Sequence, residues 1–213
     1  MNASRSGSPG TSRTRRMSQP ERETATAGQP VRRRPVRWLV RQAERCFALI
    51  GLAFVIYVTC FDYTRIVSGS MKPTLQGENW EEGDRVLTEK VSYWFRRPRR
   101  WEVITIRGED RKQIMKRVVG FPGERVEMRR GGKILIDGEE ITRPSHLNLL
   151  TYFPYGNLTS DKPPYECGEG YYVLGDFTRD SDDSRFNGSI PPERIIGRAW
   201  LILGPKGRHG FVR

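Results

Sequence analysis

The stretch 68–75 holds the residues whose types and spacing could do covalent chemistry. Its sequence is Ser-Gly-Ser-Met-Lys-Pro-Thr-Leu, so Ser68 and Ser70 flank a glycine that lets the backbone approach another group closely. Pro73 fixes its own φ and ends any helix that would continue through this loop. A serine hydroxyl becomes an effective nucleophile only when a neighbouring base removes its proton. The chain has only two histidines, so other residue types have to be considered as the base.

Lys116 is the residue that best fits the role of this base. A lysine can replace histidine beside a nucleophilic serine, but its ordinary pKa of about 10.4 keeps it protonated at neutral pH. Burial among apolar groups lowers a lysine pKa, and Lys116 lies in the strand-like run 113–119 with no carboxylate directly beside it. The adjacent Arg117 would lower the pKa further if the two charges are close. Lys72 and Lys90 fit less well, because one lies in the loop and the other follows a glutamate.

A domain built from strands has to position both stretches. After the serine loop, short runs rich in β-branched and aromatic residues alternate with Gly and Pro turns, and no convincing soluble helix is found. Asp137-Gly138 is a strong signal for a type I′ hairpin turn. Residues 142–169 lack clear periodicity and are predicted to be an irregular insertion. The sequence therefore predicts a mostly β domain, with strands at residues 84–91, 101–106, 113–119, 125–128, 133–136, 139–141, 171–174 and 195–203.

One uncharged apolar run, residues 47–61, precedes this domain. It is shorter than the roughly 20 residues that a spanning helix needs, but it extends back to residue 38 if two arginines place their charged ends at the interface. We predict a single transmembrane anchor helix at 38–61, after a disordered basic leader at 1–37 and before a β-rich domain at 62–213. The arginine bias places the N-terminus in the cytoplasm and the domain on the extracytoplasmic face.

Two alternatives to an anchor are open for this run. A cleavable signal peptide also combines a basic region with a short apolar one, and a soluble protein can bury an apolar helix. The bulky sequence Cys60-Phe61-Asp62-Tyr63 lacks the small residues of a cleavage site, and a long basic flank is unexpected on a buried helix. An uncleaved anchor is therefore favoured.

The net charge of +12 would suit a nucleic-acid-binding protein if the folded domain carried it. Residues 1–45 hold eleven arginines against three acidic residues, whereas residues 62–213 hold 26 basic against 22 acidic residues. Most of the excess lies in the leader, which argues against nucleic acid as a partner. The cysteines and histidines show no metal-ligand spacing, so no metal and no cofactor are predicted.

Four blocks behind the apolar run resemble the bacterial type I signal peptidases (leader peptidases), membrane-anchored serine peptidases with a Ser-Lys pair. The resemblance covers the anchor and most of residues 66–205. It implies an antiparallel β-sheet catalytic domain that removes signal peptides from exported preproteins at the cytoplasmic (inner) membrane. The blocks are the loop 68–75; Gly83-Asp84-Arg85-Val86; Lys-Arg-Val-Val-Gly-Phe-Pro-Gly-Glu at 116–124; and Gly175-Asp176 through Asp183-Ser184-Arg185, followed by Ile-Ile-Gly-Arg-Ala at 195–199.

The resemblance also implies roles for individual residues. Ser70 would be the nucleophile and Lys116 the general base, and Ser181 would orient the lysine. The Ser68 hydroxyl and the Ser70 backbone N–H would form the oxyanion hole. Structural ionic support would come from Arg117, Asp176, Asp183 and Arg185. The sequence departs from the family pattern at Phe177, where asparagine is common, and at Glu124, where aspartate is usual.

The resemblance further implies that substrate adds as an extended strand between the segment leading into Ser70 and the strand carrying Lys116. Main-chain hydrogen bonds would give affinity and side-chain pockets would give selectivity, with small residues, usually alanine, at −1 and −3. Signal peptides and the lipid bilayer are the expected partners. The expected pocket walls are Ile66, Val67, Met71, Leu75, Ile114 and Met115.

Two other functions are compatible with part of this pattern. Self-cleaving repressors use related Ser-Lys chemistry, but they join it to a DNA-binding domain, and no helix-turn-helix signal precedes Ser68. A catalytically inactive relative could serve as a membrane scaffold or binding protein. The presence of Ser70, Lys116 and Ser181 disfavours that alternative.

Overall fold

The structure is a computed structural model that describes residues 34–78, 81–108, 112–205 and 207–213. Nearly all of the predicted leader lies outside the described residues. Helix α1 spans Arg34–Cys60. Its stretch Val36–Cys60 has 25 residues and contains an 18-residue window with a mean hydropathy of 1.7 and no buried part, so by length and composition it could cross a hydrocarbon core of roughly 30 Å. The helix ends one residue before the predicted boundary, because Phe61 begins the first strand.

Residues 46–213 form one compact unit, which contains two β-sheets. The strands, in chain order, are β1 (Phe61–Arg65), β2 (Arg85–Glu89), β3 (Val103–Arg107), β4 (Gln113–Gly120), β5 (Arg125–Arg129), β6 (Lys133–Ile136), β7 (Glu139–Glu140), β8 (Tyr165–Glu166), β9 (Tyr172–Leu174), β10 (Ile195–Gly204) and β11 (Gly210–Phe211). Two one-turn helices, α2 (Ser92–Phe95) and α3 (Ser184–Asn187), lie between strands.

The larger sheet has seven strands in the order β1-β2-β10-β3-β4-β9, with β11 paired to β10. The smaller sheet has the order β7-β6-β5-β8. Among the described residues, every pair of strands is antiparallel. The mostly β, antiparallel fold predicted from the sequence is therefore confirmed.

The smaller sheet is joined by turns whose chemistry is visible in the sequence. Asp137 and Gly138 both adopt positive φ, 51° and 88°, as a type I′ turn between β6 and β7 requires. The predicted insertion at 142–169 is mostly irregular, with single 3-10 turns at Ser145–Leu147 and Gly156–Leu158. The insertion also contains regular structure, because β8 lies within it and pairs with β5.

The serine loop is fixed by an apolar core. Met71 and Leu75 point into a cluster of buried residues that belong to the larger sheet and its flanks, with exposures of 2% and 0%. The backbone between them makes tight turns, in which the Lys72 N–H donates to the Gly69 carbonyl and the Leu75 N–H donates to the Met71 carbonyl. Burying two large apolar side chains four positions apart leaves little freedom to the residues beside them. The other members of the cluster are Ile66, Val86, Val103, Met115, Ala199, Ile202 and Val212.

Candidate active site

Ser70 lies in a 3-10 turn, Gly69–Met71, at the start of the anchored loop. Its carbonyl accepts a hydrogen bond of 3.0 Å from the backbone N–H of Phe177. The main chain of the serine is therefore attached both to the core through Met71 and to the segment after β9. Phe177, which departs from the family pattern, makes this contact through its backbone, and its partly exposed side chain is not required for it.

Lys116 on β4 lies next to the Ser70 hydroxyl. Its Nζ is 2.9 Å from Ser70 Oγ and 3.0 Å from Ser181 Oγ. Only 5% of the residue is exposed, and within the described part of the chain it forms no ion pair. An amine in these surroundings is well placed to accept the serine proton.

Burial lowers the pKa of Lys116 below its ordinary value. The carboxylates of Asp183, Asp182 and Asp176 oppose this effect, and the Arg185 guanidinium adds to it. The sequence assigned that contribution to Arg117, but successive residues of a strand point to opposite faces, and the Arg117 side chain is bonded to Asp176 instead. The lysine pKa is therefore depressed mainly because the amine is buried.

Ser181 connects the lysine to a buried ion pair. Its hydroxyl accepts from Lys116 and donates to Asp183 Oδ2 at 2.8 Å. Asp183 Oδ1 in turn accepts from Arg185 Nε at 2.8 Å, and both side chains are fully buried. Since the serine proton is directed at Asp183, the lone pairs of Ser181 Oγ face the lysine. This arrangement holds the Lys116 amine in one position.

A second buried ion pair lies under the serine loop. Arg117 donates two hydrogen bonds to Asp176, one of 2.7 Å from Nε and one of 2.6 Å from a terminal nitrogen. Thr74, four residues after the serine, donates to Asp176 Oδ2 and accepts from Arg117. The loop is thus attached to β4 and to the segment after β9 through one bidentate pair. The four residues predicted to give ionic support form these two pairs.

Ser68 completes the set of hydroxyls around the nucleophile. Its Oγ lies 3.3 Å from Ser70 Oγ, and the residue is exposed on the cleft side of the loop. The two predicted oxyanion donors, the Ser68 hydroxyl and the Ser70 N–H, therefore lie in or directly before the short turn that holds the predicted nucleophile.

A cleft of about 650 Å³ opens at Ser70 and Lys116. Residues 63–71 form one wall and residues 112–116 another, and Asp180 and Asp182 line it as well. Five of the six predicted pocket residues line this cleft: Ile66, Val67, Met71, Ile114 and Met115. Leu75 does not, because it is completely buried in the core beneath the loop.

The cleft lies along a strand edge with no partner in the described residues. Residues 113–117 of β4 pair with β3 on one side, whereas β9 pairs only with Arg117 and residues beyond it. The main chain of residues 113–116 is therefore unpaired on the edge away from β3. Such an edge is a template for adding another strand.

Gly175 is a site residue to which sequence reasoning gave no role. Its N–H donates to Asp183 Oδ2 at 2.9 Å. A β-carbon at this position would lie 2.6 Å from both the Ser70 carbonyl oxygen and Ser181 Cβ, closer than side chains pack. A glycine directly before a site aspartate was the only signal available in the sequence.

Three other residues at the site were also missed. Thr74 was quoted as part of the loop, but its bonds to Arg117 and Asp176 depend on tertiary contacts across more than 40 residues. Asp180 and Asp182 were not identified as cleft residues; their only signal was their position on either side of Ser181.

Comparison with known proteins agrees with this geometry. The family described as "Signal peptidase, peptidase S26" matches residues 39–203. Signal peptidase I of Leptolyngbya laminosa is 36% identical over 154 residues, which cover 68% of this chain and 70% of that protein. Signal peptidase I of Bacillus amyloliquefaciens is 32% identical over 161 residues, covering 73% and 80%.

A crystal structure of a signal peptidase I from Enterococcus faecalis V583 is also similar in part. The two are 26% identical, and the TM-score is 0.36. The match covers 48% of this chain and 97% of the Enterococcus chain. The family match spans more than half of the chain and includes both walls of the cleft. The chain therefore belongs to the signal peptidase family, peptidase S26, and is a serine endopeptidase.

Proposed function

We propose that this protein is a membrane-bound endopeptidase that removes N-terminal signal peptides from exported preproteins, with a Ser70–Lys116 dyad and an acyl-enzyme intermediate. The observation that carries the proposal is the buried Lys116 amine, 2.9 Å from Ser70 Oγ and without an ion-pair partner in the described residues. Membership of the signal peptidase family gives the class of substrate.

In the first step, neutral Lys116 takes the proton of Ser70 as Oγ attacks the carbonyl carbon of the −1 residue. The Ser70 N–H and the Ser68 hydroxyl stabilise the negative charge that develops on the carbonyl oxygen. Aimed donors of this kind typically contribute about 10²–10³-fold each in rate. The Lys116 ammonium then gives its proton to the leaving amine, and the peptide bond breaks.

In the second step, water hydrolyses the ester between Ser70 and the signal peptide. Lys116, again neutral, takes a proton from that water as it attacks, and Ser70 recovers its proton when the ester bond breaks. Ser181 acts as a positioning residue, because its bond to the Lys116 amine holds that amine beside Ser70 in both steps. Both ion pairs, Arg117–Asp176 and Asp183–Arg185, have a structural role, because neither touches the reacting atoms.

The substrate binds as an extended strand along the unpaired edge of residues 113–116. Main-chain hydrogen bonds to this edge are independent of the substrate's side chains, which suits an enzyme that accepts many signal peptides. Selectivity comes from the apolar walls at Ile66, Met71 and Met115, which leave room for small residues at −1 and −3. Cleavage after Ala-X-Ala sequences is the expected outcome.

The proposed topology follows from the apolar helix and the arginines before it. Residues 38–61 would anchor the chain in the cytoplasmic membrane as a single span, with the basic leader 1–37 in the cytoplasm. The peptidase domain, residues 62–213, would then lie on the extracytoplasmic face, next to preproteins that are crossing the membrane. The lipid bilayer and signal peptides are its proposed partners.

The first test is cleavage of a purified preprotein by the full-length protein in detergent. We expect Ser70→Ala to abolish cleavage, and Ser68→Ala to lower the rate by about 10²–10³-fold through loss of one oxyanion donor. Ser160→Ala is the matched control, because Ser160 is exposed and does not line the cleft. Full activity of Ser70→Ala would refute the proposed nucleophile.

A second test changes the substrate instead of the enzyme. Replacing alanine at −1 by leucine or phenylalanine is expected to abolish cleavage, because the proposed −1 side chain packs against the buried walls at Ile66, Met71 and Met115. The measurement is kcat/KM for a set of otherwise identical peptides. Equal rates for alanine and phenylalanine would contradict the pocket assignment.

A further inference from the structure

Two aspartates line the catalytic cleft without taking part in either buried ion pair. Asp180 and Asp182 flank Ser181 in sequence, and both are exposed to the cleft. The Asp182 carboxylate accepts a bond from Asn187 Nδ2 at 2.5 Å. Among the described residues, the Asp180 side chain has no hydrogen bond or ion pair, and its carboxylate is exposed to the cleft.

The turn that carries these aspartates is fixed in position. Thr178, at its start, is buried and donates to the Thr151 carbonyl at 3.1 Å. Arg185 donates to the carbonyls of Thr178 and Ser181, at 2.8 and 3.2 Å. A carboxylate on a fixed turn keeps its distance from a bound peptide, whereas one on a mobile loop could swing into solvent. The two carboxylates therefore have fixed positions in the cleft.

The geometry of proton transfer indicates which residues of the substrate lie near this turn. The leaving amine takes its proton from Lys116 Nζ, so the amine and the residues that follow it lie beside that atom. Ser181 Oγ lies 3.0 Å from the same Nζ, and the Asp182 charge beside Ser181 acts on this lysine. The aspartates on either side of Ser181 thus lie on the leaving-group side of the cleft. The acyl side is formed instead by Ser68 and the apolar walls.

We propose that Asp180 and Asp182 select, on the leaving-group side, for substrates with a basic residue within the first two positions after the scissile bond, and against acidic residues there. This inference rests on the proposed function and names a preference within it. The other charged residues that line the cleft are Arg65, Lys112 and Lys116. Of these, Lys116 is neutral when the free enzyme is active, whereas Lys112 lies four residues before it on one wall and Arg65 lies five residues before Ser70 on the other.

The test uses three preprotein-derived peptides that share alanine at −3 and −1 and differ only at +2, with Lys, Gln or Glu. We expect the full-length protein to cleave the Lys peptide about tenfold faster than the Glu peptide in kcat/KM, since exposed charge pairs each contribute about twofold to fivefold. High salt should reduce the ratio, because exposed charges are screened. Cleavage is measured in detergent at fixed pH.

The variants Asp180→Asn and Asp180→Asn/Asp182→Asn should lower this ratio stepwise towards one. Any effect of the substitutions on the lysine base changes all three rates equally and cancels in the ratio. Asp161→Asn is the matched control, since Asp161 is exposed and does not line the cleft. The single variant removes the charge of a side chain without a described partner and keeps its shape, so it tests the proposal without a folding defect.

The outcomes separate this inference from the proposed function. Equal cleavage of the Lys and Glu peptides by the unmodified protein, or an unchanged ratio in the double variant, would overturn the selectivity and leave the peptidase intact. A preference for the Glu peptide would overturn it as well. Failure to cleave any of the three peptides would overturn the proposed function, and the selectivity with it.

Discussion

The two sides of the serine loop each present a lysine close to Ser70, and the two lysines have opposite surroundings. On the buried side, Lys116 is 5% exposed, and within the described part of the chain its amine bonds only to the hydroxyls of Ser70 and Ser181. On the other side, the Lys72 side chain is 31% exposed and is paired with Glu78, whose side chain is 71% exposed. The loop backbone separates the two environments.

The difference shows that proximity to a serine does not make a lysine a base. An ammonium in solvent beside a carboxylate is stabilised as a cation, and such a surface pair contributes only about 0–1 kcal/mol to folding. An amine buried beside hydroxyls loses hydration without gaining a counter-ion, so its charged form is disfavoured. Burial of a lysine usually destabilises a protein because the charged amine loses its hydration. Here the same burial is the source of the proposed reactivity of Lys116.

The largest expected effect compares the two lysines directly. Lys116→Ala should lower kcat/KM by at least about 10³-fold, because a positioned base typically contributes 10²–10⁴-fold, whereas Lys72→Ala should lower it less than about threefold. Preprotein cleavage by the two purified variants provides the measurement. Comparable losses in both would remove the distinction between the two sides of the loop.

The next effect concerns stability. Asp176→Asn leaves Arg117 buried beside a neutral partner, and breaking a buried pair in this way costs about 3–5 kcal/mol. Glu78→Gln breaks the exposed Lys72–Glu78 pair and should cost less than about 1 kcal/mol. Urea unfolding of the full chain in detergent, followed by circular dichroism, measures both. Equal shifts would show that the buried pair is not needed to hold the loop.

A smaller effect is expected from Ser181→Ala. The lysine would keep its burial but lose the hydroxyl that fixes its amine, and misplacement of a reacting group by about 1 Å can cost on the order of 10²-fold. Because Ser181 positions the base, kcat should fall while KM changes little. An equal rise in KM with kcat unchanged would instead indicate that Ser181 binds substrate.

The smallest effect is a shift in pH dependence. The free enzyme needs neutral Lys116, whose pKa is lowered by burial, so kcat/KM should rise with pH and reach its plateau below the ordinary lysine pKa of about 10.4. Asp182 raises that pKa, since its negative charge favours the ammonium. Asp182→Asn should therefore move the midpoint to lower pH. A midpoint that moves upward would contradict this assignment.

The strands and the family could be predicted from the sequence, because their signals are local. The Asp137-Gly138 turn, the apolar runs of β4 and β10, and the order of the four blocks all depend on residues close to one another in the chain. The identification of Lys116 also used local information, namely apolar neighbours on a strand. The family assignment is confirmed by the match over residues 39–203; the roles of individual residues stay predictions.

What the sequence did not reveal depends on contacts between distant segments. Whether Leu75 lines the cleft or the core is decided by the direction of one side chain after a tight turn. Arg117 and Lys116 were expected to influence each other as neighbours, but strand alternation sends them to different partners. The aspartates at 180 and 182 acquire a place in the cleft only when the segment after β9 packs beside the loop.

Gly175 sets a mechanical limit on the site. There is no clearance for even one methyl group between the Ser70 carbonyl and Ser181, so the serine loop and the segment after β9 are in direct contact behind Ser70 and Lys116. An inhibitor of this protein therefore cannot gain affinity by inserting a group between these two segments. It has to enter along the open strand edge, the route proposed for the substrate, and any side chain at position 175 would force the two segments apart.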